Sequence, residues 1–106
     1  MVGKFKVITL CGSTRFKDMF MQVQEELTMQ GYIVISVGVF GHHTMRPEEE
    51  IIAAKPMLDE MHKRKIDMAD EIFVINVGGY VGESTQSEID YAIAQGKPVK
   101  YLEDKF

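Results

Sequence analysis

A parallel β-sheet covered by helices on both faces is the fold class that this sequence predicts. Three observations carry it. Apolar, β-prone runs alternate with helical segments in the order β-α-β-α-β-α-β. The connections between them are short, apart from one loop of moderate length. The strand runs are almost continuously apolar rather than alternating, which marks strands buried on both faces.

Residues 5–10 form the first predicted strand, ended by Cys11-Gly12-Ser13-Thr14, where Ser13 or Thr14 can cap a helix. Phe16, Met19, Phe20, Val23 and Leu27 then recur at helical spacing and give one apolar stripe, closed by Gly31. Residues 32–37 are apolar and read as a second, buried strand. Residues 38–44 form a loop containing Gly41-His42-His43. Pro47 followed by Glu48-Glu49-Glu50 is a helix start, with proline in the first turn and acids at the positive end. Pro56 is expected to break or kink that helix, with a second piece over residues 57–69. Residues 71–77 make the third strand. Thr85 starts the third main helix, with Ile89, Ala92 and Ile93 inward, and Gly96 ends it. Residues 98–102 form the last strand.

Right-handed crossovers leave few ways to arrange four parallel strands. The simplest doubly wound solution is the flavodoxin-like (Rossmann-like) three-layer sandwich, with strand order 2-1-3-4. In that order the chain path reverses between strands 1 and 3, and ligands bind outside the carboxyl ends of strands at such a reversal. The segments leaving those ends are residues 11–15 and 78–84. Topology thus predicts that the two most site-like stretches of the chain share one mouth.

Composition narrows the function classes. The 106 residues make one domain, 1–106, with ordinary apolar (45%) and charged (26%) fractions. A net charge of −4 argues against binding a nucleic acid polymer non-specifically, while leaving room for a single nucleotide. The one cysteine, Cys11, permits no internal disulfide, and a reducing cytoplasm fits. Lys4 and Lys6 interrupt any signal-peptide pattern, and no stretch approaches the roughly 20 apolar residues of a membrane span. A cytoplasmic location without membrane attachment is therefore expected. The eight methionines suit adaptable packing, in the core or at a subunit contact.

Two stretches can carry chemistry. Gly12-Ser13-Thr14-Arg15 offers hydroxyls, backbone N–H groups and a guanidinium at a helix start: a phosphate clamp, or else a glycine turn, a cap and a surface arginine. The second runs from Val74 through Gly78, Gly79, Tyr80, Gly82, Glu83 and Ser84 to Glu88. Thr85-Gln86-Ser87-Glu88 fits a capping box, in which Glu88 bonds back to the Thr85 N–H. The functional alternative makes Glu88 a carboxylate nucleophile, as in retaining glycosyl transfer. Tyr80 can stack on a base or be an ordinary loop aromatic. Asp59, His62 and Ile66 share a helix face; Asp59 and His62 form a surface pair or point at a sugar. His42, His43 and His62 lack any metal-binding spacing, so no metal and no cofactor are expected. His43 can line the pocket mouth. Cys11, after a buried strand, reads as a small apolar residue rather than a reactive thiol.

Leu10-Cys11-Gly12-Ser13-Thr14-Arg15, Ala69-Asp70, Glu88-Ile89-Asp90-Tyr91-Ala92 and Gly96-Lys97-Pro98-Val99 resemble the nucleoside 2-deoxyribosyltransferase superfamily, most closely its deoxynucleoside 5′-monophosphate N-glycosidase branch. The resemblance implies a flavodoxin-like fold, a homodimer or larger assembly, and cleavage or exchange of N-glycosidic bonds in nucleosides or their monophosphates. It puts the family's nucleophile on Glu88, in E-x-x-x-A, and its 5′-phosphate contacts on Ser13 and Arg15. Cys11, Gly12, Gly79, Tyr80, Gly82, Glu83, Ser84 and Thr85, on or beside the two segments that topology brings together, are expected to neighbour the substrate. The transferase pattern D-x-G-T-x-x-E keeps Thr85, but Gly82 and Ser84 stand in place of its Asp and Gly. Gly82 also occupies the slot of a serine in the monophosphate branch. The family's second acid aligns near His62 or Arg64, where the nearest acids are Asp59 and Asp67. Gly78-Gly79-Tyr80-Val81-Gly82 also resembles the P-G-G-x-G-T-x-x-E loop of Rossmann-like nucleotide sensors and phosphoribohydrolases, which implies a binding-only alternative.

Overall fold

The computed structural model describes residues 2–103. Four parallel strands form one sheet in the order β2-β1-β3-β4: β1 (Val7–Gly12), β2 (Ile33–Ile35), β3 (Glu71–Ile75) and β4 (Val99–Tyr101). The three helices are α1 (Lys17–Met29), α2 (Glu48–Asp67) and α3 (Glu83–Ala94). This is the flavodoxin-like three-layer arrangement, with the path reversing between β1 and β3.

The pleat sorts the core into two halves. Ile8 and Leu10 of β1 and Ile75 of β3 pack with Phe20 and Val23 of α1 on one face. Cys11 of β1 and Ile72 and Val74 of β3 pack with Ile66 of α2 and Ile89 and Ala92 of α3 on the other. Leu10 and Cys11 are consecutive and both fully buried, one on each face, as period-two alternation requires. The register sets Gly12 beside Ile75, so both central strands end at the same level.

Several boundaries differ from the sequence reading, each for a physical reason. The ladder of β1 runs over Val7–Gly12, two residues later than residues 5–10. The edge strands β2 and β4 are three residues each, shorter than the apolar runs that contain them, since each has a ladder on one side only. β3 stops at Ile75, and Val77–Gly79 closes a single 3-10 turn in which Gly78 and Gly79 take φ of +64° and +80°. Pro56 does not break α2, which is one helix from Glu48 to Asp67. Pro56 lies on an exposed stretch, where water can take the place of the lost bond. Ile93 is 61% exposed rather than inward, since Ile89 and Ala92 already fill the stripe that faces the sheet. Among the described residues, no helix is long and apolar enough to cross a membrane.

Candidate functional site

The reversal point opens into a cavity of about 920 Å³. Its floor and one wall come from Gly12, Ser13 and Thr14 after β1, and a second wall from Tyr80 to Glu88 after β3. The loop after β2 and the inner face of α2 complete it. Gly12 is where β1 must turn away: a Cβ there would meet the Ile75 carbonyl oxygen at 2.9 Å and the Ile75 Cβ at 3.0 Å.

Ser13 caps the short turn that follows. Its Oγ accepts from the Arg15 backbone N–H at 3.3 Å and from the Arg15 Nε–H at 3.1 Å. The guanidinium then lies over the Tyr80 ring, 4.6 Å from the centroid, with a nitrogen 3.4 Å from the phenol oxygen. Phe16 meets the same ring edge-on at 6.0 Å. Ser13, Arg15 and Tyr80 thus form one cluster at the rim, joining the loops after β1 and β3. From the loop after β2, His42 Nδ1 lies 2.7 Å from the Thr14 hydroxyl and His43 Nε2 lies 3.3 Å from the Arg15 carbonyl oxygen. His42 lines the cavity; His43 steadies the Arg15 backbone from outside it.

Glu88 lines the same cavity, half-buried on the first turns of α3. The capping box does not form. α3 begins at Glu83 with Gly82 as its N-cap and no side-chain cap, so Thr85 is a buried residue already within the helix rather than the cap that the box requires. Its carboxyl is instead pushed up to about 7, first by burial and then by the nearby Asp59 carboxylate. Hydrogen bonding from the Cys11 thiol and the charges of Lys55 and Lys63 oppose that rise.

Asp59 lines the cavity from α2, held by Lys55 one turn earlier, whose Nζ reaches its two oxygens at 3.2 and 3.0 Å. The same ammonium donates to Ser84 Oγ at 2.9 Å and so ties α2 to the start of α3. Asp67 stands elsewhere. It ends α2, accepts from the Tyr91 hydroxyl at 2.7 Å, and does not line the cavity. Eight residues of helix carry it roughly 12 Å from Asp59, towards the opposite end of the sheet.

Of the other predicted neighbours, Gly12, Ser13, Tyr80, Gly82, Glu83, Ser84 and Thr85 line the cavity. Gly79 does not; its N–H closes the turn onto Asn76 at 2.8 Å, and the Gly78 N–H is taken by the Glu103 carboxylate at 2.7 Å. Both N–H groups of the glycine pair are thus engaged within the protein. Cys11 lies behind Glu88 rather than in the wall.

Of the two readings of His62, the surface pair with Asp59 fails: His62 is buried on the sheet side of α2, and it lines the cavity along with Asp59. Its Nε2 lies 3.0 Å from the Leu10 carbonyl oxygen and 3.6 Å from Cys11 Sγ. A carbonyl oxygen only accepts, so Nε2 carries the proton. Burial, then the charge of Lys65, lowers this imidazole to about 4, so it is neutral at physiological pH. The spacing from His62 to the buried Ile66 was the available signal. Cys11, His62 and Glu88 bring ligand-type atoms within 4.8 Å of one another. With Nε2 donating to a carbonyl and the thiol pushed well above its usual range by burial, the trio fits a row of hydrogen-bonding groups better than a cation site.

No protein-family model matches the chain, and no curated protein matches it.

Proposed function

We propose that this protein cleaves or exchanges the N-glycosidic bond of a (deoxy)nucleoside or its 5′-monophosphate, with Glu88 as the nucleophile. The observation that carries the proposal is the position of Glu88. Freed from the cap, its carboxyl faces a cavity lined also by Ser13 and Tyr80, which together hold the exposed Arg15 guanidinium just beyond the lining. The substrate's phosphate would bind Ser13 and Arg15, and its base would stack near Tyr80. A Glu88 oxygen attacks the anomeric carbon, the bond to the base nitrogen breaks, and a glycosyl ester forms. The departing base takes a proton from the Lys55 ammonium, which Asp59 holds in mid-α2, and the water or base that attacks next returns a proton to Lys55. Water, or a second base, then attacks the same carbon and returns the Glu88 carboxylate. The negative carboxylate also stabilises the oxocarbenium-like transition state.

Assembly belongs to the same proposal. Ile52, Met57 and Met61 of α2 are 62%, 54% and 46% exposed. A second copy packed there would shelter the open side of the cavity; light scattering showing a monomer at micromolar concentration would refute it.

The deciding experiment incubates the protein with a panel of deoxynucleoside 5′-monophosphates and nucleosides and follows base release by chromatography. Release that vanishes in Glu88→Gln, with a glycosyl adduct on Glu88 by mass spectrometry, is the expected result. No release across the panel, or release undiminished in Glu88→Gln, overturns it. Nucleotide binding by calorimetry without turnover would replace it with the binding-module reading.

A further inference from the structure

We propose that Cys11 is a positioning residue for Glu88: its thiol, backed by His62, donates to one carboxylate oxygen and leaves the other facing the cavity. The catalytic sense of the proposal rests on the nucleophile reading above; the geometric sense does not.

Three elements converge to build the arrangement. Cys11 is the last fully buried residue of β1, on the face covered by α2 and α3. Its sulfur lies within 4.8 Å of the Glu88 carboxylate, which closes off its α3 side. His62 from α2 stands 3.6 Å from the sulfur, and its N–H is already committed to the Leu10 carbonyl. The imidazole therefore holds the sulfur in place without claiming the thiol proton. No water reaches this sulfur, whose residue is 0% exposed. The carboxylate is the strongest acceptor beside it.

The choice of sulfur has a chemical consequence. A thiol is a weak donor. It orients a carboxylate while withdrawing little of the electron density a nucleophile needs. A hydroxyl at the same place would orient it too, but would hold the charge more tightly. Other charges also face Glu88: Asp59, Lys55 and Lys63, all from α2. Changing Cys11 leaves those three in place, so its effect can be read separately.

The test uses the full-length protein and needs no turnover. Cys11 is the only cysteine, so the infrared S–H stretching band reports it alone. That band is expected to shift as Glu88 ionises across neutral pH, and to lose the shift in Glu88→Gln. Carbon NMR of the Glu88 carboxyl gives its titration midpoint in wild type, Cys11→Ala and Cys11→Ser. The alanine variant is expected to titrate higher by roughly half a pH unit, and the serine variant at or below wild type. A structural role alone would move neither the S–H band with pH nor the two midpoints in opposite senses. A pH-independent band, or equal midpoints in all three proteins, overturns the proposal. If a variant fails to fold, the wild-type band still decides. Should base release prove absent while the band and midpoints behave as described, the glycosyl-transfer reading falls and the Cys11–Glu88 coupling stands.

Discussion

Replacing Glu88 by Gln is expected to stabilise the protein in neutral and mildly basic solution while changing it little in acid. The carboxyl titrates at about 7 in the folded protein against 4.5 for an ordinary glutamate. Between those values the folded state binds more protons than the unfolded chain, so the contribution of Glu88 to stability falls as pH rises. Each pH unit of separation corresponds to about 1.4 kcal/mol, which gives a ceiling of about 3 kcal/mol above neutral pH. Glu88 is half-buried and keeps some solvent screening, which brings the expected figure to roughly 2 kcal/mol. His62 works in the opposite sense. Its imidazole is lowered from 6.5 to about 4, so its contribution is lost as pH falls through that window. The two slopes oppose each other in mildly acid solution, and the wild-type curve alone hides both. The assay is therefore a difference: urea unfolding of wild type and Glu88→Gln in parallel at about pH 5 and about pH 8. The variant should gain about 2 kcal/mol relative to wild type between the two conditions, or on the order of 10 °C in Tm. Parallel curves, or a variant less stable than wild type at the higher pH, would refute the burial argument for Glu88.

Asp59→Asn should lower the Glu88 titration, because it removes the one carboxylate that raises it and frees Lys55. The acid limb of kcat/KM should then move down by roughly half a pH unit or more. Arg15→Ala should raise KM for a 5′-monophosphate by about 10- to 100-fold and leave the parent nucleoside unaffected, the pattern of a lost charge-assisted phosphate bond. A nucleoside that suffers equally would show that Arg15 only braces Tyr80. Gly12→Ala should cost about 1–3 kcal/mol in thermal unfolding, because its Cβ would press on the Ile75 carbonyl oxygen at 2.9 Å, and backbone cannot step aside as a side chain does.

The fold was legible because its signals are collective. Runs of buried apolar residues, helical stripes and the handedness of crossovers all point to one strand order. Boundaries were less so, since Tyr32 and Val37 are both β-prone, yet the ladder to β1 holds only Ile33–Ile35 and the chain leaves the sheet before β1 ends. The capping box shows how local spacing misleads. Thr85-x-x-Glu88 has the right period, but the backbone is already helical at Glu83, and Gly82 takes the N-cap position. Where the helix begins depends on how the chain leaves β3, which no four-residue pattern records. The site divides in the same way. Ser13, Tyr80 and Glu88 were found through turn chemistry and topology. Asp67 and the surface reading of His62 failed because each residue needs to be located along or around a 20-residue helix. Asp59 and His62 border the cavity from one helix face, His62 deeper against β1, while eight residues of length carry Asp67 out of reach.

The polarity of the cavity supplies its own argument about the substrate. Arg15 stands just beyond the Ser13 and Tyr80 wall by the β1 loop, and an acidic pair, Glu88 with Asp59, lines the cavity on α3 and α2, with Lys55 beside it. A sugar phosphate undergoing loss of its base matches both, since its phosphate is negative and its anomeric carbon becomes positive in the transition state. The partners that now hold Arg15 suit such an exchange. A ring face at 4.6 Å, a phenol oxygen at 3.4 Å and a serine hydroxyl at 3.1 Å orient the guanidinium without neutralising it. An incoming phosphate would gain a charge-assisted bond and break no ion pair to do so. The carboxylates, by contrast, already have Lys55 beside them, which tempers the rise that burial and Asp59 impose on the Glu88 carboxyl. On the proposed function, the reaction would begin with phosphate capture at Arg15 and end at Glu88, and a 5′-monophosphate should be a better substrate than its parent nucleoside.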